Sequence, residues 1–217
     1  MTHPKTEMNP KTRLKESENQ MGSSNSIAEA GLSVVNMFKK NMTPDPIASP
    51  ESIGLCMPQE PEDFQLTVWI YNFEEQKGGG APTGFRPDPA DPTIERFAPM
   101  QIKLYLLVTA HSKAPPQTRS ADEYRIMGRA MQIVKDIPLI DKEYLEGSLA
   151  SEESVLNIEM IKLSSDDLTK IWNNSSKPVK MSFGFSVSIS VDSNLIRPVA
   201  VRVQEARIEI SPGMRDS

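Results

Sequence analysis

Ile27, Gly31, Val34, Val35 and Phe38 recur at helical spacing and form one apolar stripe of an amphipathic helix. Ser26 stands where a cap belongs, with Glu29 three residues later, so the pattern predicts a helix over about 27–41 that Pro44, Asp45 and Pro46 stop. The runs FQLTVWIYNF (64–73) and QIKLYLLVTA (101–110) are β-branched and aromatic in both phases, which predicts central strands buried over most of two faces. Ser120 is placed to cap a second helix, about 121–136, on which Met127, Ala130, Met131 and Val134 share a face before Pro138. VLNIEMIKL (155–163) alternates imperfectly but has strand composition, and SSDDLTKIWNN (164–174) opens on a cap signal for a short helix that buries Leu168, Ile171 and Trp172. The cleanest alternation sets Met181, Phe183, Phe185, Val187, Ile189 and Val191 against Lys180, Gly184 and four serines, a strand with one core face. A last strand, 199–210, carries Val199, Val201 and Val203 on odd positions and Ala206, Ile208 and Ile210 on even ones. A bulge or bend near Gln204 and Glu205 would keep that set on one side. This order of elements predicts an α+β fold, a mixed and mainly antiparallel sheet flanked by two or three helices.

Proline divides the chain. Residues 1–25 hold two prolines and scarcely any branched aliphatic side chain, too little apolar surface to repay ordering, and are expected to form a disordered extension. The stretch 74–99, with Gly78, Gly79 and Gly80 and repeated Asp-Pro steps, reads as a long loop, and 112–120, with Pro115 and Pro116 adjacent, as a shorter one. The domain proper is then 26–192, followed by a C-terminal strand and tail, 193–217. A net charge of -5 with no dense basic block argues against nucleic acid as a partner. One cysteine, Cys56, forbids an internal disulfide, and two histidines leave almost nothing for a metal cage. No apolar run approaches ~18 residues, so direct membrane insertion is not expected. Met1–Met21 lacks the apolar stretch of a secretory signal, which suggests the cytoplasm as the compartment of synthesis.

Candidate chemistry is sparse. The three glycines lack the Lys-Ser/Thr pair of a phosphate loop and read better as a loop hinge. His111 and Ser112 are neighbours on a strand end, where successive side chains point apart, so a base and nucleophile are not assembled by adjacency. Asp166 and Asp167 fit a helix N-terminus better than a catalytic dyad. Cys56, in SIGLCMP, reads as a small hydrophobe rather than a nucleophile.

Several segments, taken in order, resemble a known family: SIAEAGLSVVNMFKKNM, DFQLTVWIYNFEEQ, MQIKLYLLVTAHSK, EYRIMGRAMQIVKDIP, and LSSDDLTKIWNN leading into KPVKMSFGFSVSISV. Over about 26–192 they look like the N-terminal domain of the tail-terminating cap protein of phage-tail-like extracellular contractile injection systems. The resemblance implies a fold similar to phage tail terminators and a structural role without enzyme activity or cofactor. The chain would form a homo-hexamer, a ring on the last layer of inner tube and contractile sheath that ends polymerisation and stabilises the sheath. Its partners would be the sheath protein and the inner tube protein. It would assemble in the cytoplasm and become part of the particle, released with it or associated through it with a membrane.

Because sheaths of such machines exchange strands between subunits, the resemblance implies that Val199, Val201, Arg202, Val203, Arg207, Ile208 and Glu209 contact sheath, tube or a neighbouring subunit. The charged second face of this strand is equally compatible with an edge strand of the domain's own sheet. Two readings from other classes stay open. A small-ligand or carbohydrate-binding module would use Trp69, Tyr71 or Tyr105 as stacking platforms, and a hydrolase would use His111 with an acidic partner in a deep pocket.

Overall fold

The structure is a computed structural model that describes residues 10–76, 84–88, 91–151, 154–173 and 177–199, with side chains from Asn25 onward. Helix α1 (Pro10–Met42) leads through a 3-10 turn (Pro50–Ser52) into β1 (Ile53–Leu55) and β2 (Leu66–Glu75). Then follow β3 (Phe85–Pro87), β4 (Ile94–Phe97), β5 (Met100–Ala110), α2 (Pro116–Asp136), β6 (Leu139–Ile140) and α3 (Gly147–Ser151). The described chain closes with β7 (Leu156–Ile161), α4 (Ser165–Trp172), β8 (Ser182–Val191) and β9 (Ile196–Pro198). Six strands form one sheet in the order β1-β2-β5-β8-β7-β6, in which only the β1–β2 pair is parallel. The fold is α+β with a mixed, mainly antiparallel sheet, as the periodicities predict.

The register places Leu66, Val68 and Ile70 of β2, the even residues Ile102–Val108 of β5 and the odd residues Phe183–Ile189 of β8 on one face. Helices α1 and α2 cover that face with Val34, Val35, Phe38, Ile126, Met127, Ala130, Ile133 and Val134. Phe38 meets Phe185 edge to face, 6.5 Å between ring centres, at the middle of the core. Burying such side chains contributes roughly 1.5–3 kcal/mol each, so the alternation of β8 and the stripe of α1 together specify this layer. Helix α1 ends at Met42, immediately before the Thr43–Pro44 and Asp45–Pro46 cis peptide bonds.

Four expectations need correction. Helix α1 starts at Pro10 rather than near residue 27. Ser26 is therefore buried inside the helix instead of capping it, and Glu29 turns to α3, where its carboxylate accepts from the Ser148 amide (3.0 Å) and hydroxyl (2.5 Å). Helix α2 begins at Pro116, not at 121: a proline in the first turn lacks only an N–H that has no helical partner there anyway. The 74–99 stretch is not simply loop, for it contains β3 and β4, which join β9 in a separate three-stranded sheet.

The second face of the main sheet is covered at one end only. There Thr67, Leu107, Thr109 and Ser186 are buried, and a Cβ added to Gly184 would collide with Leu163 and Ile161. Strand β2 is consequently buried on both faces only from Leu66 to Val68 and becomes exposed after Tyr71, where a register shift between Ile70 and Asn72 marks a bulge. The expectation that it is buried along most of its length fails, since its last four residues, Asn72–Glu75, are exposed. The serine face of β8 likewise divides, Ser186 buried and Ser190 exposed.

Candidate assembly surface

Strand β9 is where the candidate contact segment enters the structure. Phe85, Phe97 and Leu195 lie opposite one another across β3, β4 and the start of β9, since Phe85 pairs with Phe97 and the Phe97 amide donates to the Leu195 carbonyl (2.9 Å). Phe97 is 41% exposed and Leu195 56%, so this apolar strip is not covered by the rest of the described chain. Arg197 stacks its guanidinium over Phe85 at 4.0 Å and pairs with Glu95 at 2.7 Å, bracing the strip from the side. Beneath the β3–β4 connection the buried Asp88 carboxylate accepts from Arg96 Nε at 2.9 Å, and Arg96 also donates to the Ser193 carbonyl (3.2 Å). One buried carboxylate thereby ties β4 to the chain entering β9.

The last described rung of β9 lies just past Pro198. The Val199 amide donates to the Thr93 carbonyl (2.9 Å), and Thr93 belongs to a turn in which Asp91 Oδ1 accepts from its amide (2.8 Å) and hydroxyl (2.6 Å). Those two bonds hold the Asp91 carboxyl below the usual carboxylate range. Of the predicted contact residues, Val199 sits half-buried at this last rung. Val201, Arg202, Val203, Arg207, Ile208 and Glu209 lie outside the described residues, as does the Gly78–Gly80 stretch.

His111 occupies the covered end of the second sheet face. Its Nε2 lies 3.1 Å from Thr67 Oγ1, which donates to the Thr109 carbonyl at 3.3 Å and so offers a lone pair to the ring; the tautomer is assigned from this network. Burial, then the Lys180 ammonium, pushes the imidazole down to about 4, against a smaller opposing pull from Glu123. The ring lines a half-open cleft of about 240 Å³ with Trp172, Lys177, Lys180 and three prolines, Pro58, Pro61 and Pro178. The nearest carboxylate, Glu123, is held by Lys180 at 2.6 Å, and the Ser112 hydroxyl donates to Asp122 (2.5 Å) rather than to His111. Among the described residues no base and nucleophile are assembled in this cleft, whose wall is proline, tryptophan and two lysines beside the imidazole.

The three candidate stacking rings do come together. Trp69 lies 6.1 Å from Tyr71, and Tyr71 6.2 Å from Tyr105, in a half-buried row across β2 and β5. Burial, then the Asp167 charge, pushes the Tyr71 phenol up, and the Tyr105 phenol, donating to Glu74 at 2.6 Å, is pushed up to about 12 mainly by that bond. The rings tilt against each other by about 50° and 47°, so they offer edges rather than one continuous platform. Asp166 and Asp167 sit in the first turn of α4, where Ser164 and Asp167 form a capping box, as their position in the sequence suggests. Cys56 follows β1, half-buried, its thiol pushed up by burial and then by Glu62. Among the described residues no group of three or more His, Cys, Asp or Glu is placed to hold a metal ion, and no helix is long and apolar enough to cross a membrane.

The small sheet was missed by sequence reasoning because its strands have three or four residues each and β4 pairs with β9 a hundred positions away. Ile94, Glu95, Arg96 and Phe97 do not alternate, and the Asp-Pro steps at 88–89 and 91–92 just before them read as loop.

The sequence profile of the Pvc16 N-terminal domain matches residues 14–205, most of the chain. The chain belongs to this family. Among solved structures, the fold is similar to the PVC sheath/tube terminator of an extracellular contractile injection system in its extended state, with a TM-score of 0.60, 14% identity, and coverage of 87% of this chain and 65% of that one. The anti-feeding prophage tube-terminating cap aligns less closely, at a TM-score of 0.47 and 13% identity over 72% of this chain and 53% of that chain. This member of the Pvc16 N-terminal domain family thus spans just under two thirds of the PVC terminator. No curated protein matches the sequence. The fold expectation, similarity to tail terminators, is met by the first alignment.

Proposed function

We propose that this protein is the cap of a phage-tail-like contractile injection particle, a structural subunit that closes the end of the inner tube and sheath and stops their polymerisation. The observation that carries this reading is the family match across residues 14–205, and the likeness to a sheath/tube terminator supports it. The arrangement of polar side chains agrees: His111, Ser112 and Glu123 are each committed to structural partners, which suits a protein that works by contact rather than by catalysis. Termination of a six-fold tube calls for a closed ring of six copies with head-to-tail contacts, since only a rotation that closes avoids a filament. The exposed strip of Phe85, Phe97 and Leu195, at the point where the C-terminal segment departs, is the surface best suited to such contacts. Native mass spectrometry of the full chain, alone and mixed with its tube and sheath proteins, tests the proposal. Six copies, or capture on tube or sheath ends, is the expected result; a monomer that ignores both partners at high concentration contradicts it.

A further inference from the structure

We propose that the cleft beside His111 is a binding site for the C-terminal residue of a partner polypeptide, one that carries an apolar side chain next to its free carboxylate. The proposal does not depend on the cap reading. Two connections form the walls. Pro58 and Pro61 belong to the link between β1 and β2, whereas Trp172, Lys177, Pro178 and Lys180 belong to the end of α4 and the link into β8. Gln59 donates to the Ile171 carbonyl (3.5 Å) and Lys177 to the Gln59 carbonyl, so the walls are tied to each other at one side of the cleft. The space of about 240 Å³ is below the ~300–1,000 Å³ that takes a drug-sized ligand and suits a single residue.

Three observations set the chemistry of that residue. The surface turned to the cleft is almost wholly apolar, which favours an apolar side chain over a sugar or a nucleotide. The local charge is positive: beyond the effect of burial, Lys180 and Lys177 act on the imidazole against Glu123. Glu60, Glu62 and Asp63 stand on the same β1–β2 wall, but Asp63 is paired with Lys113 at 3.3 Å, Glu62 bears on Cys56, and Glu60 is exposed. Finally, the walls hold donors that an acceptor can use. Trp172 is 2% exposed, and its indole N–H has no acceptor among the described residues, the mark of a place for one. Lys180 donates to Glu123 (2.6 Å) and to the Ala110 carbonyl (3.4 Å), two of the three N–H bonds of an ammonium. Gln59 Oε1 is orphaned as well but does not line the cleft. Within one residue of a polypeptide, an apolar side chain and a carboxylate occur together only at the chain end. Met57 and Val179, the chain neighbours of Pro58 and Pro178, are exposed and offer apolar surface to the residues that precede this end, which a free acid would leave unused.

The experiment titrates the full chain with two acetylated peptides, Gly-Ser-Gly-Leu and Gly-Ser-Gly-Phe, with the same peptides amidated at the C-terminus, and with isocaproate as a free acid. Magnetic resonance of the Trp172 indole N–H and the His111 ring reports occupancy, and the Trp69 indole, which does not line the cleft, is the control. A peptide acid should shift Trp172 and His111 saturably and leave Trp69 unmoved. The amidated forms should bind at least about tenfold more weakly, the worth of one charge-assisted hydrogen bond. Lys177→Glu should abolish the shifts and Lys177→Arg should keep them; Lys177 is exposed, so an unchanged melting curve checks the fold of both. No saturable shift with either peptide acid, equal binding of acid and amide, or full binding by Lys177→Glu overturns the proposal. Isocaproate binding as tightly as the peptides overturns it also, by assigning the cleft to a free acid. None of these readouts measures self-association, so the cap reading stands or falls separately.

Discussion

His111 is neutral in the folded protein because burial disfavours its charged form and Lys180 adds repulsion. Its folded pKa, about 4, lies below the ordinary 6.5, so between those values the unfolded chain binds the proton and the folded chain does not. Stability contributed by this residue is therefore complete above pH 6.5 and is lost on acidification toward 4, at up to about 1.4 kcal/mol per pH unit. Urea melts at pH 7, 6 and 5 should show a steeper loss for the native protein than for His111→Gln; parallel losses would mean that another group sets the slope. At the same scale, Phe185 is fully buried between Phe38 and Phe183. Phe185→Ala should cost about 3–5 kcal/mol, seen as a large drop in the urea midpoint.

Among the elements, the small sheet depends on side chains more than on area. Three strands of three or four residues with exposed faces make a marginal unit on their own, and the Arg96–Asp88 pair supplies the bond that holds β4 to the β8–β9 connection. Arg96→Ala removes the cationic partner of a buried carboxylate that also accepts from the Asp91 amide, and should cost about 1–3 kcal/mol. Because the main sheet does not use this pair, the loss should fall locally. Faster amide exchange in 84–88, 94–97 and 193–199, with β5 and β8 unchanged, is expected; uniform acceleration would show that both sheets unfold as one. The corresponding strength of the main sheet lies in β5 and β8, paired over ten rungs from Met100–Val191 to Thr109–Ser182, whose facing residues are the aliphatic and aromatic side chains most evident in the sequence.

For the whole molecule, the proposed ring, held by contacts between copies, would link stability to concentration. Anything that binds the folded chain alone raises its melting point by mass action. The melting temperature of the full chain should therefore rise with protein concentration, and a value constant over a hundredfold range would speak against self-association. In cells, deletion of the gene should leave tubes and sheaths of variable length or poor stability by electron microscopy, whereas particles of uniform, normal length would exclude the terminating role.

Sequence by itself determined the elements whose reasons are local. The stripe Val34, Val35 and Phe38, the alternation through Phe183 to Ile189 and the Ser164–Asp167 cap each satisfy their own hydrogen bonds or hydrophobic period within a few turns or one strand, so they were legible before any contact was known. Tertiary structure alone decided the rest. The short β1, parallel to β2, exists only because Phe64 and β2 lie against it, and the β3–β4–β9 sheet exists only because distant segments meet; neither carries enough period in three or four residues to announce itself. The start of α1 at Pro10 was hidden for the opposite reason, since its first half lacks the apolar stripe by which helices are read. The docking of α4 beside the β1–β2 connection likewise rests on a contact between residues more than a hundred apart, Gln59 donating to the Ile171 carbonyl. Local periodicity is written along the chain, whereas pairing across long separations is settled by the entropy of closing the intervening loops against the area they bury.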